Sequence, residues 1–239
     1  MSLTSGRGPF NAARAGWSSP ALPAGDIAWI EPHPRRITAE LDGAVVIDTE
    51  EALLVHRPGR MLAYAFPTHA IGDLPHQPEP EAPGFVTVPW DSVDTWFEEG
   101  RRLVTYPPNP YHRVDLHPTT RRLTVTVAGT TLVDTDDTLI LFETALDPKL
   151  YVDPAQVRTD LLRRTDTVSW CNYKGWATYW AVEVDGSVVE DVAWSYEDPL
   201  PESSGIAGFL SFDPTKVELA AELPPGSGRP GRSAERPIR

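Results

Sequence analysis

The chain carries the same strand-and-turn pattern twice. Residues 36–55 read RITAELDGAVVIDTEEALLV and residues 122–141 read RLTVTVAGTTLVDTDDTLIL, at a constant offset of 86. Arg36 matches Arg122, Gly43 matches Gly129, Asp48 matches Asp134 and Thr49 matches Thr135. In each stretch, short β-branched runs flank a glycine turn, the pattern of a β-hairpin. A third apolar run follows (52–55 and 138–142), then a fourth (MLAYAFP at 61–67, KLYVDP at 149–154). After it, residues 68–74 and 155–162 each have room for a helical turn or two. Successive short strands with turns between them predict a mainly β fold. The expected architecture is two tandem repeats of a compact antiparallel β-sheet domain, small and barrel- or tent-like, with short helical turns and disordered termini.

The boundaries follow from composition. Residues 1–26 read as a flexible N-terminus, 27–105 as a first, diverged repeat, 106–221 as the second repeat and 222–239 as a disordered basic tail. The joint is YPPNPYHR (106–113), where three prolines stiffen the chain. The later parts of the repeats match less well. DSVDTWFEEG (91–100) opens like a capped helix, yet it also aligns with DVAWSYEDP (191–199) at an offset of 99 or 100. The second of these closes a hairpin, WAVEVDGSVVEDVAW, turning at Asp185-Gly186. An extended strand is therefore expected in both.

Charge excludes some partners. The formal net charge is -13, but residues 1–25 carry +2 and residues 224–239 carry +3, leaving -18 on the body. A body that acidic repels phosphate backbones, so nucleic acid is not an expected partner. No run reaches the roughly 18 apolar residues of a membrane span. The start, MSLTSGRGPF, lacks an apolar signal core, so a cytoplasmic location without membrane contact is expected. A single cysteine allows neither an internal disulfide nor a multi-cysteine zinc site, and no metal or cofactor is expected. Oligomeric state is open.

Four blocks, HRVDLHPTTRRLTV, LFETALDPKLYV, CNYKGWATYW and WSYEDPLPESSGIAGFLSFDP, resemble the bacterial domain-of-unknown-function family 427 in order and spacing. The first repeat looks like a diverged second domain of that family, as in its tandem members. The resemblance implies a compact, mainly β domain but no established activity. A nucleotidyltransferase-like label attached to the family finds no support in the residues, which include no Gly-rich phosphate loop and no spaced Asp pair for metal ions. The chain departs from the family pattern at Asn172, where Pro is usual, at Ala145, where Gly is usual, and at Lys149-Leu150, where Arg-Tyr is usual.

One segment concentrates chemistry. Residues 168–196 hold Trp170, Tyr173, Trp176, Tyr179, Trp180, Trp194 and Tyr196, together with the lone cysteine, Cys171, and one of three lysines, Lys174. Aromatic side chains line ligand pockets, and they also build ordinary cores. Lys174 could lower the Cys171 pKa and make it a nucleophile, or the cysteine is a small buried apolar residue. Lys174 could anchor a carboxylate or phosphate, or sit idle in a turn. Gly175 supplies positive φ or lets backbone approach. Glu197 and Asp198 could transfer protons if buried, or be solvated turn acids. All six histidines precede residue 118, with His112 and His117 nearest in sequence to Cys171. Arg113 with Glu143 reads as an ion pair or as pocket polar groups. Phe142, Tyr151, Ile206 and Phe209 read as core.

Two functions fit these residues. In the first, the second repeat binds a small molecule and acts on it. Cys171, Lys174 and Glu197 are then the catalytic candidates, and Trp170, Tyr173, Gly175, Trp176, Tyr179, Trp194, Tyr196 and Asp198 the ligand-binding candidates. In the alternative, the chain is a non-catalytic protein-interaction module of two related β domains.

Overall fold

The computed structural model describes residue 10, residues 18–22 and residues 27–224. The expectations of a flexible N-terminus and a disordered tail therefore fall largely outside the described residues. The chain divides into two compact units, Met1–Tyr111 and His112–Arg239. The division falls inside the proline-rich joint. The residues up to Tyr111 group with the first unit because the Tyr111 hydroxyl donates to Glu31 and its ring packs against His56.

The first unit contains β1 (Trp29–Pro32), β2 (Ile37–Leu41), β3 (Ala44–Thr49), β4 (Leu53–His56), β5 (Ala63–Pro67), β6 (Gln77–Pro78), β7 (Phe85–Thr87), β8 (Thr95–Glu98) and β9 (Arg101–Leu103). One open sheet runs β1-β4-β5-β7-β6 and the other β3-β2-β8-β9, with antiparallel pairing throughout. Between them lies a core that includes Ile37, Ile47, Leu54, Phe66, Ile71 and Trp96. Alternation explains it: every second residue of β2 (Ile37, Ala39) faces inward. The β2–β3 turn puts Asp42 at φ 52° and Gly43 at φ 76°, the pair of positive values that a right-twisted two-residue hairpin needs.

The second unit contains β10 (Val114–Thr119), β11 (Leu123–Val127), β12 (Thr130–Thr135), β13 (Thr138–Glu143), β14 (Lys149–Tyr151), β15 (Leu162–Cys171), β16 (Gly175–Val184), β17 (Ser187–Ser195), β18 (Leu210–Phe212) and β19 (Glu218–Ala221). They form three antiparallel sheets, ordered β10-β13-β14, β12-β11-β19 and β15-β16-β17-β18. The expected hairpin at Asp185-Gly186 joins β16 to β17, with Val184 opposite Ser187. Among the described residues no sheet closes on itself, so the units are stacked open sheets and not barrels. Among the described residues, helical structure is limited to short 3₁₀ turns, including Thr68–Ala70, Pro154–Gln156 and Thr159–Leu161 in the two expected stretches. No helix among the described residues is long and apolar enough to cross a membrane.

The two units share a hydrogen-bonding pattern around the matching hairpins. Arg36 grips Asp48 through Nε and Nη2, each at 2.6 Å, and Arg122 grips Asp134 in the same way at 2.9 and 2.8 Å. The strand alongside differs in its place along the chain. β8 lies on β2 with Glu98 opposite Ile37, and β19 lies on β11 with Ala221 opposite Leu123. The next residues, Glu99 and Glu222, each donate their amide to the carbonyl of Arg36 or Arg122. Each also accepts that arginine's amide through a carboxylate oxygen. By hydrogen bonding, then, 95–99 answers to 218–222, not to 191–199. Both 95–98 and 187–195 are strands, as expected, but β17 pairs with β16 and β18. Weak side-chain likeness between two aromatic-acidic strands gave a false register.

Phe142 is 39% exposed, against the core expectation. It lies on the outward side of β13, and Leu141 points inward. Tyr151 and Ile206 are buried, and Phe209 packs partly against them.

Candidate functional site

Glu143 organises the second unit. It ends β13, where it lies opposite Val114 of β10 and is only 9% exposed. Three polar side chains reach it. Lys174, 3% exposed, donates Nζ to Oε2. His112 Nε2 lies 3.0 Å from Oε1. A carboxylate only accepts, so Nε2 carries the hydrogen. Cys171 Sγ lies 4.0 Å from the same oxygen, at the limit for a weak thiol donor. Burial alone would raise the Glu143 carboxyl. The His112 hydrogen bond and the Lys174 charge outweigh it and hold the group down at about 2.

The turn between β15 and β16 delivers these groups. The Lys174 amide donates to the Cys171 carbonyl, and the Lys174 carbonyl accepts from the Leu200 amide at 3.0 Å. Ser203 Oγ donates to the Tyr173 carbonyl. Gly175 stands at φ +95°, a conformation other residues rarely take, so positive φ is its role. The Tyr173 ring stacks on His112, with centroids 3.6 Å apart and planes 7° apart. The Lys174 ammonium also sits 5.7 Å from the centre of the buried Tyr196 ring. Asn172, also buried, accepts the Trp170 indole N–H at 2.7 Å.

This geometry decides the chemistry. Burial raises the Cys171 pKa. Lys174 pulls it down and Glu143 pushes it up again, for a net upward shift. The shift favours the thiol over the thiolate at neutral pH, opposite to the activation that a neighbouring lysine alone would give. Lys174 is engaged by Glu143 and does not present its charge to solvent. Glu197 is exposed and takes Arg164 Nη1 at 2.9 Å, as well as the Thr178 hydroxyl. Asp198 is exposed beside it. Cys171 and Lys174 thus meet at Glu143, while Glu197 belongs to a different ion pair.

The aromatic residues divide between the faces of one sheet. Trp170 lies opposite Trp176 across β15 and β16, edge to face at 5.3 Å. Trp176 is 46% exposed and neighbouring Val168 is 42% exposed. On the other face, Tyr179 meets Ser169 through its hydroxyl, and Trp194 donates its indole N–H to Tyr151. Trp194 and Tyr196 belong to a core cluster with Leu141, Ala177 and Ile206. Successive residues of a strand point oppositely, so these side chains do not line one hollow. Arg113 pairs with Asp115, not with Glu143.

Sequence reasoning missed His112 and Glu143 as the partners of Cys171 and Lys174. The signal was in the register: β10 folds back on β13, which carries residues 112–114 to the end of Glu143's strand.

The first unit holds a comparable buried carboxylate. Glu98 receives His33 Nε2 at 2.9 Å, the Tyr64 hydroxyl at 2.6 Å and Arg35 Nη1. Burial opposes its ionisation, but these donors hold it at about 2. His56, fully buried, lies 3.0 Å through Nε2 from Glu31. Its Nδ1 finds no hydrogen-bond partner. Burial lowers its pKa despite Glu31. Among the described residues, no group of three or more His, Cys, Asp or Glu side chains is placed to hold a metal ion.

Compared with known families, residues 115–222 match one described as Domain of unknown function (DUF427). No curated protein matches the chain.

Proposed function

We propose that the chain, whose residues 115–222 match the family described as Domain of unknown function (DUF427), is a non-catalytic protein-interaction module of the bacterial cytoplasm. The observation that supports it is the engagement of Lys174 and Cys171 by buried Glu143, which leaves no free nucleophile or anion anchor there. We infer further that the two units descend from one duplicated β unit. The offset between matching strands grows from 86 to 123 across β15–β18, so the second copy carries 37 additional residues there. That added sheet offers the docking face, with Trp176 and Val168 exposed and Trp170 beside them. Exposed indole on a sheet is a frequent anchor of protein contacts. The net charge of -13 favours a basic protein as partner and disfavours nucleic acid or an anionic membrane.

The test is affinity purification of the tagged full chain, with the retained proteins identified by mass spectrometry. The same basic protein should be retained by wild type and Cys171→Ala and lost by Trp176→Ser. Equal retention by Trp176→Ser, or retention of no protein by wild type, contradicts the reading.

A further inference from the structure

The first unit contains a hollow lined largely by aromatic side chains. A crevice of about 300 Å³ opens between β5 and the segment leading into β8, lined by Met61, Tyr64, Phe66, Trp90 and Trp96 among others. Its size lies at the lower end of small-molecule sites. Three of these rings form a near-parallel series. Phe66 and Trp96 lie 5.8 Å apart at 9°, and Trp96 and Trp90 lie 5.2 Å apart at 19°. The heteroatoms of two wall residues are already engaged: Trp96 donates its indole N–H to the Trp90 carbonyl, and Tyr64 donates its hydroxyl to Glu98. Phe66, Tyr64 and Trp96 are buried, so the half-buried Trp90 ring at the end of the series and the Met61 thioether face the opening, with Met61 67% exposed at the mouth. Such a surface favours a flat apolar ring that joins the stack.

A second hollow, of about 420 Å³, shares Met61, Ala63, Gln77 and Thr87 with the first and so adjoins it. Its charged residues are Arg57, Arg60, Glu79 and Glu81. Both carboxylates hold Arg57: Glu79 through two nitrogens and Glu81 through one. No ion pair occupies Arg60 among the described residues, although it lines the hollow. The guanidinium fork left available matches a carboxylate.

We propose that the first unit binds a planar aromatic carboxylate, with its ring against the Trp90–Trp96 stack and its carboxylate on Arg60. The ligand needs both parts because the two hollows offer one each. This site is in the other unit from the docking face proposed above, and the fate of either proposal leaves the other standing.

Isothermal titration of the full chain with 2-naphthoate tests it. 2-Naphthoate should bind, whereas 2-naphthylmethylamine (the same ring with a cation) and cyclohexanecarboxylate (the same anion without the aromatic ring) should bind at least tenfold more weakly. Arg60→Gln should weaken 2-naphthoate about tenfold and abolish the preference over the amine. Trp90→Ala should lose binding. Met61→Asp, at an exposed position that cannot unfold the unit by cavity formation, should weaken it several-fold. Trp176→Ser should leave it unchanged. No heat from 2-naphthoate at millimolar concentration, equal binding of the amine, or an unchanged Arg60→Gln would overturn the proposal.

Discussion

Replacing Lys174 with methionine should destabilise the second unit by about 3–5 kcal/mol, the usual cost of leaving one partner of a buried ion pair uncompensated. The effect is large because Glu143 cannot turn to water. It ends a strand paired on both sides and is almost wholly covered. His112 alone would remain to hold the charge, since the thiol of Cys171 is at best a weak donor. Urea unfolding of the full chain, followed by intrinsic fluorescence and far-ultraviolet circular dichroism, reads this as a lower midpoint for one of the transitions. The double variant Lys174→Met, Glu143→Leu should recover at least half the loss, because a matched apolar pair carries no buried charge. A single variant within about 1 kcal/mol of wild type would mean that the ammonium is not committed to Glu143.

Acid should unfold the protein in a manner set by three buried groups. Glu143 and Glu98 are both held at about 2, below the ordinary 4.5. A depressed carboxyl contributes stability that is fully present above its unfolded pKa and disappears as pH falls through the folded one. Each therefore contributes roughly 3 kcal/mol at neutral pH. That contribution is withdrawn between pH 4.5 and about 2. His56 acts earlier. Its folded pKa lies below 6.5, so the unfolded chain takes up its proton first and stability begins to fall as pH drops below 6.5. A series of urea midpoints across this range should slope gently below 6.5 and steeply below 4.5. Glu143→Gln and Glu98→Gln should each be less stable than wild type at neutral pH and lose less on acidification. Parallel slopes in wild type and both variants would contradict the assignment.

The hairpins and their turns were legible because local chemistry dictates them. Asp42-Gly43 and Asp185-Gly186 need no tertiary contact to turn the chain. The split between β8 and β19 was not legible. It depends on which distant strand hydrogen-bonds to β2 or β11, and likeness between residues 91–100 and 191–199 suggested the wrong partner. At the candidate site, the sequence singled out Cys171, Lys174 and the surrounding aromatic residues, and the first two do meet. Their meeting point was hidden, because Glu143 lies 31 residues from Lys174 and is brought there only by the β10–β13 register. Protonation was equally hidden. A lysine three residues from a cysteine reads as an activator, but burial, with the Glu143 charge added to it, outweighs its effect on the thiol. Ala145 is a smaller instance: it stands at φ 72°, in the left-handed region that favours glycine, which nothing in the residue itself announces.

The most direct measurement is the rate at which the single thiol of the native full chain reacts with 5,5′-dithiobis(2-nitrobenzoate) as pH is raised. If Glu143 holds Lys174 and burial governs Cys171, the native thiol reacts more slowly than the urea-unfolded one at every pH. Its reaction midpoint then lies above the ordinary cysteine value of 9.0. A native thiol that reacts faster than the unfolded one at neutral pH, and slows in Lys174→Met, would show an activated thiolate and contradict the account.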